Sequence, residues 1–194
     1  MFKIESGFIG EFKTGDNINH NLSSLKILYD VQKSLSPSES PLLCKPITIT
    51  LVSIIEALLH DLIFRMQNHT TEGVRNIAKS VLSDVRSKKL DKLATYIDCA
   101  RKHDLLSASG TDLYAQLHEL RKVRNRIHIQ NVKRELPLDE KDVFTPECQC
   151  VAEEMVETII KHVSVKHYRP AGVREYVQNF EIPWKEHLVT STSH

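Results

Sequence analysis

Glycine and the aromatic residues are scarce in this chain: six glycines in 194 residues, and 6% Phe, Trp and Tyr together. A turn-rich all-β fold needs more of both. The few glycines nowhere form a Gly-rich phosphate loop, which excludes P-loop and Rossmann nucleotide sites. A Gly-x-Ser-x-Gly nucleophile elbow is missing as well. No histidines stand at the His-Glu-x-x-His spacing of a helical zinc site, His60 and His69 included, so no metal and no cofactor is expected. Cysteine is sparse, with four residues, which are expected as reduced, buried thiols. Cys148 and Cys150 are two apart, which on a helix turns them to different faces and makes a poor zinc pair. An excess of charge of one sign is lacking too: the net charge is +1, so any nucleic-acid signal must be local. No stretch of 18 apolar residues is found, and "MFKIESGFIGEFKTGDN" carries acids and glycines where a signal peptide needs an apolar run. The expectation is a cytoplasmic protein with no membrane span.

What is present reads as helix. The hydrophobic share of 41% over 194 residues suffices for one domain with its own core. Residues 1–20 contain turn-formers and read as an irregular arm or short hairpin. A first helix covers 21–34 and ends at "SPSESP". The next, about 46–67, opens on Pro46 and carries Ile47, Leu51, Ile54, Ile55, Leu58, Leu59, Leu62 and Met66 at spacings of three and four. It is the expected central helix. Helical spacing continues through Val74, Ile77, Val81, Leu82 and Val85, then through Leu90, Leu93, Ile97 and Ala100. Ser109 or Thr111 then caps a helix striped by Leu113, Leu117, Leu120, Val123 and Ile127. Thr145 caps and Pro146 opens a last long helix, with Val151, Met155, Val156, Ile159, Ile160 and Val163 inward. Residues 170–194 read as an irregular tail or a short docking element, pinned to the bundle by Trp184, whose other role would be to stack on a base. The chain is therefore expected to be a single all-α domain over 1–194, an up-down bundle of five to six helices with irregular ends.

One stretch departs from this even pattern. "LRKVRNRIHI", residues 120–129, ends the fifth periodic segment, and residues 121–134 hold six basic residues and no acid. On a helix, Arg121, Arg124, Asn125 and His128 lie three or four apart and close a diamond on one face, bordering the apolar stripe. Guanidinium groups bind phosphate oxygens in a bidentate way and keep their charge. An imidazole exchanges protons near neutrality, and two arginines beside it favour its neutral, base-competent form. Asn125 can hold the imidazole or a substrate oxygen. Lys122, Arg126, Lys133 and Arg134 extend the positive charge around the diamond and are candidate contacts to RNA. RNA suits such a site because its 2′-hydroxyl is an internal nucleophile and no metal is needed. The plainer alternative is a basic helix end that offsets the helix dipole.

"LHELRKVRNRIHI" on the penultimate long helix of a small bundle resembles the signature helix of the HEPN superfamily, an arginine, four to six residues, then a histidine. Arg121 precedes His128 by six intervening residues. Arg124 with Asn125 matches the arginine-polar form of the motif, with three residues before His128. Either arginine is the candidate motif arginine. The resemblance implies an HEPN-like bundle and a metal-independent endoribonuclease, homodimeric through the motif helix. In it His128 serves as general acid or base, Arg121 and Arg124 stabilise the phosphorane, and Asn125 orients the site. It also implies a toxin or antiviral-defence setting, with a nucleotidyltransferase-type antitoxin as partner. The alternative within the superfamily is a non-catalytic dimeric module that binds nucleotide or a protein partner. Glu56 then has two readings: an acidic brace for one motif arginine, or part of a solvent-facing Ser53–Glu56–His60 stripe, which its spacing favours. His162 and His167, with Lys161 and Lys166, form either a second RNA-contacting surface or a basic helix end. His118 reads as a surface residue.

Overall fold

The computed structural model describes residues 1–69, 76–127, 137, 139–169 and 177–188. It is an all-α bundle closed by one short sheet. The elements run β1 (Phe2–Ile4), α1 (Phe12–Ser34), a 3-10 turn (Ser40–Leu43), α2 (Cys44–Asn68), α3 (Lys79–Arg86), α4 (Leu93–Lys102), α5 (Leu113–Arg124), a second 3-10 turn (Asn125–Ile127), α6 (Glu140–Val143), α7 (Pro146–Lys166) and β2 (Phe180–Ile182).

α2 is the central helix, and every apolar position expected on its stripe is buried at 2% exposure or less. It packs most extensively on α7 and also meets α1, α3, α4 and α5. Together with the turn before it, over Ser40–Asn68, it is long and apolar enough by composition to cross a membrane. In this fold half of that apolar window is buried inside the bundle. α7 begins as its capping residues dictate: the Thr145 side chain accepts from Cys148 N at 3.2 Å and Pro146 occupies the first turn.

The N-terminal end differs from expectation, whereas at the C-terminal end Trp184 docks the chain on the bundle as expected. Residues 1–20 are no irregular arm, because α1 starts at Phe12, inside the segment read as turns. Ile18, Leu22, Leu25 and Tyr29 are buried on one face of it, and burial of that stripe outweighs the poor helix propensity of Gly15, Asp16 and Asn17. Gly15 suits the place: a Cβ there would stand 2.4 Å from a methyl of Val177. At the other end, β2 pairs antiparallel with β1, with Phe2 opposite Ile182 and Ile4 opposite Phe180. Trp184 is buried against Tyr29, with ring centroids 6.1 Å apart. Residues 170–176 and 189–194 of the expected tail lie outside the described residues.

A buried ion pair ties the ends to the core. Asp61 and Arg65, one turn apart on α2, are fully buried and joined at 2.9 Å. Asp61 also accepts from Gly10 N at 2.8 Å, and Arg65 donates to the His167 carbonyl at 2.9 Å. The helical reading over Val74 to Leu90 narrows to α3, with 70–75 outside the described residues.

Candidate functional site

α5 presents Leu113, Leu117, Leu120 and Val123 to the core, as its spacing predicts. Its start differs slightly. Asp112 precedes the first turn without a side-chain cap, while Thr111 accepts from Leu113 N at 3.4 Å and Ser109 plays no capping part. Its end differs more. After Arg124 the chain tightens into the 3-10 turn Asn125–Ile127, so α-helical spacing does not continue past Arg124 through that turn. Tightening rotates the side chains. Ile127, expected as the last core position, is 48% exposed. Arg126, expected among the outward cations, is buried and donates to the Pro137 carbonyl at 2.7 Å. Its place in an RNA-contacting surface is thereby withdrawn.

Arg124 turns toward α2, where its Nη2 meets Glu56 Oε2 at 2.7 Å, with both side chains about one-third exposed. The acidic brace is therefore present and the solvent-facing reading of Glu56 is not. His60, one turn along α2, stacks on Phe64 and meets Tyr96 edge-on at 5.8 Å. Tyr96 lies close enough to Glu56 to feel its charge. Burial pushes its phenol up, and the Glu56 carboxylate pushes it further. Sequence spacing offered no route to Tyr96, since it sits on α4 and enters only through tertiary packing.

Arg121 is half-buried, and its Nε is inaccessible to solvent with no hydrogen-bond partner among the described residues. Lys122 is held by Glu119 at 2.7 Å on its own helix. Asn125 is exposed. His128, Lys133 and Arg134 lie outside the described residues. Three of the four diamond residues lie among the described residues: one arginine fixed by an acid, one with a buried, unmet Nε–H, and an amide at the surface.

The basic end of α7 is not a second RNA surface. His167 is buried with Nε2 2.9 Å from the Leu105 carbonyl. Burial also lowers the pKa of His162, and His167 and Lys166 add to the effect. His118 is partly covered and reaches Asp98 at 3.3 Å.

Cys148 packs in the apolar interior near Cys44, and burial lifts its thiol to about 11. Cys150 faces elsewhere, as expected from its spacing, and joins Glu154 and His187 in a group with ligand atoms within 4.8 Å of one another. Compared with family models, curated proteins and solved structures, the chain matches none.

Proposed function

We propose that the protein is a metal-independent endoribonuclease of the HEPN type, cleaving RNA through attack of a 2′-hydroxyl on the adjacent phosphate. The observation that supports this reading best is the Arg124–Glu56 pair beside Arg121. A braced guanidinium holds one orientation, and the half-buried Arg121 one turn before it adds a second positive charge for a phosphate oxygen. His128 follows on the chain as the proton-transfer group. It takes the 2′-hydroxyl proton as the oxygen–phosphorus bond forms, and the 5′-oxygen leaves with a proton. Arg121 and Arg124 balance the charge on the phosphorane, and Asn125 orients the histidine or the phosphate. Lys122, Lys133 and Arg134 contact the RNA backbone. The products are a 2′,3′-cyclic phosphate and a 5′-hydroxyl end. Two copies meet through α5, so that two such sets line one cleft. The setting is that of a cytoplasmic toxin or antiviral effector held by a nucleotidyltransferase-type antitoxin.

The second reading is a non-catalytic HEPN-like module that binds a nucleotide or an acidic partner. One observation favours it: Lys122, Arg124 and Arg126 each already have a protein partner, which leaves less charge for a long polyanion.

Cleavage of labelled total RNA and tRNA in excess EDTA separates the two. The wild type is expected to yield cyclic-phosphate ends. His128→Ala should lose about 10²–10⁴-fold in rate and Arg121→Ala about 10²–10³-fold. A folded dimer that binds nucleotide and cleaves none of these RNAs overturns the ribonuclease and leaves the module.

A further inference from the structure

Cys150, Glu154 and His187 meet where the C-terminal segment lies against α7. Cys150 and Glu154 are one turn apart on α7, so their side chains share a face. Cys150 Sγ lies 3.8 Å from Glu154 Oε1, and His187 Nδ1 lies 4.0 Å from the same oxygen. Tetrahedral zinc, with ligands at about 2.0–2.3 Å, sets its donor atoms about 3.5 Å apart. The two distances to Glu154 exceed this by about 0.3 and 0.5 Å, and all three donor atoms already lie within 4.8 Å of one another.

The histidine is held as a metal ligand is held. Its Nε2 lies 2.9 Å from Glu153 Oε2. A carboxylate oxygen only accepts, so Nε2 donates to Glu153, which leaves Nδ1, 4.0 Å from Glu154, as the nitrogen to face an ion. A carboxylate behind a ligating imidazole is the usual outer-shell arrangement. Glu153 is buried and fixed in turn by the Tyr29 hydroxyl at 2.5 Å and the Gln149 amide at 3.0 Å. The backbone of this segment is fixed separately: buried Glu157 accepts from His187 N at 3.0 Å and Leu188 N at 2.9 Å. His187 is thus positioned from both sides, by side chains that have no need of Cys150 or Glu154.

We propose that Cys150, Glu154 and His187 bind a divalent transition-metal ion of the zinc class, with water at the fourth position. The donor set of one thiolate, one imidazole and one carboxylate suits zinc, not magnesium or calcium, which prefer all-oxygen sites. All three residues are half-buried, which leaves an entry path. A bound dication favours the thiolate of Cys150. Metal–sulfur, metal–nitrogen and metal–oxygen bonds form, and the thiol proton goes to solvent. The site ties the C-terminal segment to α7.

The test is titration of the reduced, EDTA-stripped full chain with Zn2+ by calorimetry and with Co2+ by absorption. The expected result is one ion per chain, proton release, and a thiolate-to-cobalt charge-transfer band. Cys150→Ser should abolish that band and weaken Zn2+ by at least about tenfold, as should His187→Gln, while Cys148→Ser changes neither. Zinc should also raise the melting temperature of the wild type and not of Cys150→Ser. Cys150 is half-buried and serine nearly isosteric, so this variant tests the site even if His187→Gln loosens the chain end. No saturable binding, or binding unaltered in Cys150→Ser, overturns the site. It would leave His187 as a side chain paired with Glu153 and Glu154 alone.

Discussion

Arg124 and Arg126 are two residues apart and have opposite surroundings. Arg124 ends an α-helix and reaches sideways to Glu56 across the α5–α2 junction. Arg126 lies inside the 3-10 turn and points into the protein, onto the Pro137 carbonyl. A buried guanidinium that loses its place strands its acceptor, and a hydrogen bond to a charged group is worth about 1.5–3 kcal/mol. Arg126→Ala is therefore expected to lower stability by that amount in denaturant unfolding, whereas Arg121→Ala should stay within about 0.5 kcal/mol. An Arg126→Ala variant as stable as wild type would return this residue to the surface. At this scale the sequence was legible in residue type and not in direction. The basic cluster was evident, and so was an acid on α2. Which cation pairs with that acid, and which turns inward, depends on a switch from α to 3-10 geometry that helical spacing assumes away.

The helices themselves were legible wherever burial repeats at three and four residues, as along α2, α5 and α7. Where the expectation failed, at α1, the failing residue was Gly15. Read alone, glycine, aspartate and asparagine in a row favour a turn. The helix runs through them because its buried stripe begins at Ile18 and because Gly15 lets Val177 close over the backbone. This makes a prediction of sign. In an exposed helix, Gly→Ala stabilises by about 0.5–1 kcal/mol. Here the added Cβ meets both Val177 methyls, at 2.4 and 2.6 Å, and a β-branched side chain has little freedom to yield. Gly15→Ala should destabilise by about 1–3 kcal/mol. Gly15→Ala with Val177→Ala should be less unstable than the sum of the single variants, a coupling that a double-mutant cycle measures. Additive losses would mean that the two residues do not meet.

Over the whole molecule, the two chain ends close on one another and then on α7, and none of this was legible as periodicity. The strand pair is three residues long on each side, and its partners are separated by nearly the entire chain. What fixes the closure chemically is Glu157 at the centre of α7. Burial alone would raise its pKa. Lys161 at 2.6 Å, with the backbone N–H groups of His187 and Leu188, outweighs burial and holds it below the usual carboxylate value of 4.5. A carboxyl with a depressed folded pKa adds stability above its unfolded pKa and loses it as pH falls through the folded value. Docking of residues 187–188 should therefore persist from neutral pH to about 4.5 and weaken progressively below it. The single tryptophan, Trp184, is buried three residues before His187 and serves as reporter. In EDTA, so that bound metal adds nothing, its emission should shift to the red below the carboxylate range while far-ultraviolet circular dichroism still shows helix. Glu157→Gln removes the charge that Lys161 and two amides share. It should show the red-shifted emission already at neutral pH, with a flatter acid response. A variant whose emission and acid profile match wild type would place the closure in the β1–β2 pair and the Trp184–Tyr29 contact instead.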